Sequence, residues 1–156
     1  MSLLMQESHF VKGIDPVADA FAGTVASDIV SMAKWTRCTF IIYKGVGTTG
    51  TSTITVEACD DVTPTTTSAI PFWYRAITSG DTPGALTRAT SSGFATTAGS
   101  SELYIVEVDV DELAASGYEY VRCKAVEVVN DPVIGAILIQ LSGPRMAQEV
   151  HDSVIT

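Results

Sequence analysis

Apolar and polar residues alternate between Thr51 and Ala58. Ile54, Val56 and Ala58 occupy one set of positions, and Thr53, Thr55 and Glu57 occupy the other. A period of two places these sets on opposite faces of an extended chain, so the segment can bury one face and expose the other only as a strand. Residues 35–43 are dense in aromatic and β-branched side chains, which favour pleated surfaces. A glycine-containing loop, 45–50, joins them to 51–58, and the two segments read as a β-hairpin. Residues 69–77 read as another strand. Pro71 cannot donate to a ladder and marks an edge or a strand start.

Residues 102–109 and 118–129 are further strands. Between them, 111–117 reads as one helical turn. Asp109 or Asp111 accepts from the free N–H groups at its start, and Gly117 ends it with positive φ. Residues 133–141 are apolar almost throughout, which implies cover on both faces. The other sheet supplies one cover and a neighbouring subunit the second. Residues 60–67, 79–84 and 130–132 are turns, 87–101 is irregular or weakly paired, and 24–34 adds a strand. This pattern points to an all-β fold, a β-sandwich, with a jelly roll as the arrangement to look for. The expected organisation is an extended N-terminal arm over 1–23, a sandwich over 24–142 and a tail or short helix over 143–156. Leu3, Leu4, Met5, Phe10, Val11 and Ile14 are the arm's anchor residues, for contact with a capsid or a sister subunit.

Only 17% of the residues are charged, while 46% are hydrophobic; a typical soluble domain carries about 25% charged residues. Much of the surface is therefore apolar or hydroxyl-bearing, and such a surface is best covered by other protein. A stable, threonine-rich β domain is the plainer alternative. The formal net charge is −9 and the nine basic residues are scattered, so no nucleic-acid groove is expected. The longest apolar run is far short of the ~20 residues of a membrane helix, so no membrane partner is expected either. Residues 1–10 lack the features of a secretory leader. Cys38, Cys59 and Cys123 are odd in number, lack a C-x-x-C pair and sit among apolar neighbours. They read as buried, reduced core residues of a protein made in a reducing cytoplasm.

Little points to chemistry. His9 and His151 lie near opposite termini, and no hydrolase, zinc-protease or nucleotide-binding motif occurs. No enzymatic activity and no cofactor are expected. Glu107, Asp109 and Asp111, with Glu112 beside them, are the best set for a hard cation such as Ca²⁺. A solvated strand end with a capped helical turn accounts for the same residues and is preferred. Phe72, Trp73 and Tyr74, with Trp35, offer a sugar-stacking platform, but strand neighbours alternate in direction, so core or subunit contact is the better use. Trp73, Tyr118, Tyr120, Ile137 and Ile139 form the expected subunit-contact set, with Arg122 and Lys124 continuing the face of the two tyrosines.

Two stretches carry a resemblance. They are Ala58-Cys-Asp-Asp-Val-Thr-Pro-Thr-Thr-Thr-Ser-Ala-Ile-Pro-Phe-Trp-Tyr-Arg75, and Glu102-Leu-Tyr-Ile-Val-Glu-Val-Asp-Val-Asp-Glu-Leu113 followed by Gly117-Tyr-Glu-Tyr-Val-Arg122. Together they resemble small β-rich virion proteins of tailed bacteriophages, over about residues 35–141. The resemblance implies a structural role on the virion, as a capsid decoration (cement) protein. Its partners would be the major capsid protein and its own copies, with a trimer suited to local three-fold positions. A tail or head–tail connector subunit is the alternative within that class. A carbohydrate-binding module, with Trp35 or Trp73 exposed, is the alternative outside it.

Overall fold

Alternation along each strand decides which side chains turn inward, and two antiparallel layers close over them. In the computed structural model, residues 3–146 and 151–155 are described. The strands are β1 (Ser8–Val17), β2 (Thr24–Ala26), β3 (Val30–Ser31), β4 (Trp35–Lys44), β5 (Thr51–Cys59), β6 (Thr67–Ile70), β7 (Phe72–Ile77), β8 (Thr87–Ala89), β9 (Phe94–Ala95), β10 (Glu102–Asp109), β11 (Tyr120–Val129) and β12 (Gly135–Pro144). The helices are α1 (Leu4–Glu7) and α2 (Val110–Ala115). The first layer runs β1-β12-β4-β10-β7-β8. The second runs β2-β11-β5-β6, with β3 also on β11 and β9 on β5. The chain is an all-β sandwich.

Cys38, Phe40 and Ile42, Tyr104, Val106 and Val108, and Ile137, Ile139 and Leu141 face inward from the first layer. Ile54, Val56 and Ala58, with Val121, Cys123 and Ala125, face them from the second. Each fully buried aliphatic side chain stabilises the fold by about 1.5–3 kcal/mol. Trp35 closes one end of this core. A buried Lys44–Glu102 pair closes the other, where the two residues sit opposite each other in register.

The helical turn forms as its sequence suggests. The Asp109 side chain accepts from the Asp111 amide at 3.0 Å, and Gly117 follows the turn at φ 81°. Three other expectations are corrected. First, 35–43 and 51–58 are not a hairpin. β4 lies between β12 and β10, β5 lies between β11 and β6, and the 45–50 loop crosses from layer to layer. Second, 1–23 is not an arm detached from a sandwich that begins at residue 24. Ser8–Val17 is an edge strand paired with β12, and Val11 and Ile14 pack on the core. Gly13, Asp15 and Pro16 blur its alternation, and the register shifts on either side of Ile14. Third, 143–156 does not simply trail away. β12 runs through Pro144, and Val154 returns to the body, buried, where its carbonyl accepts from the Ser31 amide at 2.7 Å. Lys34 and Asp152 pair beside it. Part of that tail, residues 147–150 and 156, lies outside the described residues, as do residues 1–2.

Candidate functional site

The sandwich hides one face of each layer, and the outward face of the six-stranded layer is itself largely apolar. Its register aligns Lys12, Leu138, Ile41, Ile105 and Arg75 across β1, β12, β4, β10 and β7. A second row is Ala136, Tyr43, Leu103 and Ile77, and a third is Phe10, Gln140, Thr39, Glu107, Trp73 and Arg88. Directly opposed side chains on one face lie about 5 Å apart, so these rows form a continuous surface. Leu138 is 48% exposed, Tyr43 55% and Trp73 41%. Ionised groups border its apolar middle: Lys12 and Arg75 end the first row, and Glu107 and Arg88 lie in the third. Arg37 pairs with Glu107 at 3.1 Å, and Arg88 pairs with Glu112 of α2 while its guanidinium lies over the Trp73 ring at 5.4 Å. Beside β7 the surface deepens into a groove of about 570 Å³ lined by Trp73, Tyr74, Arg75, Ile77, Pro83, Leu86, Ile105 and Glu107.

The expected contact residues divide. Trp73 and Phe10 lie on this outward face, and Leu3, Leu4 and Met5 are exposed on or beside α1. Ile137 and Ile139 do not: both are fully buried in the core, and Leu138 between them is the outward residue. Val11 and Ile14 are core-packed. Tyr118 precedes β11 and packs against the core. Arg122 and Lys124 continue the Tyr120 face on the second layer, but both are held by Glu57, at 2.7 and 2.9 Å. Burial alone would raise the Glu57 pKa; the hydrogen bonds and charges of Lys124 and Arg122 outweigh it and hold the carboxyl low. Ile41, Tyr43, Leu103, Ile105 and Ile77 were not singled out from sequence. Their signal was there, since Phe40-Ile41-Ile42-Tyr43 and Leu103-Tyr104-Ile105-Val106 are apolar on both parities.

The cation-binding reading of Glu107, Asp109 and Asp111 is not supported. Glu107 pairs with Arg37 and Asp109 caps α2. Among the described residues no group of three or more His, Cys, Asp or Glu is placed to hold a metal. His9 and His151 do meet, around Trp35, with ring centroids 5.8 Å apart. Burial and the neighbouring His151 both lower the His9 pKa.

The buried polar cluster of Lys44, Glu102, Tyr104 and Thr97 resembles a reaction centre in composition, and perturbed ionisable groups do gather at such centres. Here every group is occupied. The Lys44 ammonium donates to Glu102 Oε2 at 2.9 Å and to the Gly50 and Thr97 carbonyls. The Tyr104 hydroxyl donates to Glu102 Oε2 at 3.0 Å and accepts from the Thr97 amide at 2.9 Å. The void bordering Lys44 has no room for a water molecule, so the cluster holds the sandwich end together.

The three cysteines are free thiols, all buried. Burial pushes Cys59 up to about 11 and Cys123 up to about 12, and raises Cys38 well above the ordinary thiol range. Only the thiolate reacts. Ellman's reagent is therefore expected to titrate no thiol quickly in the folded protein and all three in denaturant; prompt native labelling would contradict the packing described.

No protein-family model matches the chain, and no curated protein matches it. Among solved structures it is similar to the crystal structure of the SPBc2 prophage-derived protein YomS. The identity is 13% over 88% of this chain and 94% of that one, with a TM-score of 0.50. The likeness is one of fold. No helix among the described residues is long and apolar enough to cross a membrane.

Proposed function

We propose that the chain is a non-enzymatic structural protein of a tailed-phage virion, a decoration protein that binds the assembled head. The observation that carries this reading is the outward face of the first layer, whose middle presents Leu138, Ile41, Tyr43, Leu103, Ile105 and Ile77 side by side. Obligate interfaces have that character, resembling a domain core cut in half. The prophage origin of YomS, which shares the fold, supports the same reading. So does the strand order. β1-β12-β4-β10 against β2-β11-β5-β6, with β7 and β8 extending one layer, supports reading the sandwich as a jelly roll, an arrangement of viral capsid and lectin domains. The major capsid protein and sister copies, as a trimer, are the partners in this reading, and the virion surface is the location. A protein that binds the shell but not its dissociated subunits stabilises the shell by mass action.

Gold labelling of an epitope-tagged chain in purified virions tests this. Label spread over the heads is the expected result. Label confined to the neck or tail would move the role to a connector or tail subunit, and unlabelled virions would overturn the virion role. A glycan-binding role has only the exposed Trp73 ring in its favour. Arg88 covers that ring and Trp35 is buried in the core, so the stacking platform is not assembled.

A further inference from the structure

We propose that residues 151–155 are a pH-sensitive latch on the Trp35 end of the sandwich, released when His9 takes up a proton. The inference goes beyond the virion role and stands without it.

Three distant parts of the chain meet at that end. His9 comes from β1, Trp35 opens β4, and His151 comes from the C-terminal segment. The His151 ring lies edge-on to Trp35 with centroids 4.7 Å apart, and edge-on to His9 at 5.8 Å. His9 and Trp35 are 6.2 Å apart, and both imidazoles are partly buried. The segment is otherwise held lightly. Val154 is buried on the core, its carbonyl accepts from the Ser31 amide at 2.7 Å, and Asp152 pairs with a half-exposed Lys34. One buried valine and one exposed ion pair do little more than offset the ordering of five residues, so the docked segment sits near local opening.

A positive charge on His9 is poorly placed in the docked state. The ring lies opposite Leu141 of β12 and meets Trp35 of β4 and His151 of the segment. The ionisable groups on the surrounding elements are otherwise directed. Glu7 ends α1 and is exposed, and Asp152 pairs with Lys34. A Glu119 carboxylate oxygen accepts from Ser31 Oγ at 3.1 Å, and Arg37 pairs with Glu107 on the outward face. Arg145 follows β12, where its amide donates to the Lys34 carbonyl. What acts on His9 is burial first and His151 second, and both lower its pKa. Opening of the segment gives the ring water and removes its neighbour. The open form therefore takes the proton more readily, and by reciprocity the proton favours the open form. Docking is complete above the ordinary histidine value, about 6.5, and weakens as the pH falls from there toward the lowered docked value. Asp152, held low chiefly by Lys34, stays ionised through that window and keeps its pair.

Amide hydrogen exchange on the full chain tests it. The Ser31 amide, which donates to Val154, reads the latch, and the Phe40 amide in the core reads the whole fold. Protection of Ser31 relative to Phe40, corrected for intrinsic rates, is expected to fall several-fold from about pH 7.5 to about pH 5.5. In His9→Gln, which keeps a polar side chain that does not titrate there, Ser31 should stay protected throughout. Val154→Ser loosens the segment without touching either histidine, and its loss of Ser31 protection at the higher pH verifies the opening. In that variant the His9 ring resonance should titrate at higher pH than in the natural chain. Unchanged Ser31 protection in the natural chain, a fall that persists in His9→Gln, or a His9 midpoint indifferent to the opened segment would each overturn the latch. If His9→Gln fails to dock the segment at all, the natural chain and the His9 midpoint in Val154→Ser still decide. No capsid enters this experiment, so the virion role stands or falls separately.

Discussion

Replacing Lys44 by Met is expected to destabilise the fold by about 3–5 kcal/mol, the usual cost of removing one partner from a buried ion pair. Lys44 and Glu102 are almost wholly buried. With the ammonium gone, Glu102 would keep only the hydrogen bonds of Thr97 and Tyr104 against its burial, and the Gly50 and Thr97 carbonyls would lose their donor. Glu102→Gln should cost a comparable amount by stranding the ammonium. The double variant Lys44→Met/Glu102→Gln should lose clearly less than the sum, since no uncompensated charge remains. Urea denaturation followed by tryptophan fluorescence reads all three. Additive losses would mean that the two side chains do not act on each other.

Acid should expose the same pair. Burial by itself raises the Glu102 pKa, but hydrogen bonds from Thr97, Lys44 and Tyr104, with the lysine charge, bring it below the ordinary glutamate range. A carboxyl with a lowered folded pKa contributes stability that is complete above its unfolded value, about 4.3, and is lost as the pH falls through the folded value. Stability of the natural chain should therefore decline below about pH 4.5, and more steeply than that of Glu102→Gln, which lacks this group.

Much of the core could be read from alternation. Ile54, Val56 and Ala58 are buried as their period requires, and Asp109 and Gly117 bound α2 as caps do. Connectivity could not be read that way. A six-residue glycine loop serves a hairpin or a layer crossing equally well, and the choice is made by β12 and β10, which occupy both flanks of β4. The candidate site failed for a related reason. Residues 133–141 are apolar on both parities, so nothing local separates Ile137 from Leu138. A slip of one residue exchanges the two faces of a strand, and here the register with β4 sets Leu138 beside Ile41 on the outside. The first row of the site joins five strands from distant parts of the chain, and its two apolar parities were the one local trace of it.

Gly93→Ala should be the costliest small substitution in the molecule. Gly93 sits at φ +76°, and a Cβ there would lie 1.9 Å from the Ile54 carbonyl oxygen and 2.8 Å from Thr55 Cγ2. The first contact is with backbone, so no rotamer change relieves it. Positive φ alone costs a non-glycine residue about 1–2 kcal/mol, and forcing atoms into packed space costs about 1–3 more. The strain falls on the β9–β5 pairing, where Phe94 lies opposite Ile54. Phe94 also stacks flat on Tyr74 at 4.0 Å, against the groove's inner wall. Gly80→Ala is the matched control. Gly80 has φ +62° but nothing within 4 Å of the added carbon, so it should show the conformational cost alone, about 1–2 kcal/mol. The excess loss in Gly93→Ala, with a weakened aromatic signal in near-ultraviolet circular dichroism, measures the close approach of β9 to β5. Equal losses for the two variants would show that the 90–93 turn does not press on β5.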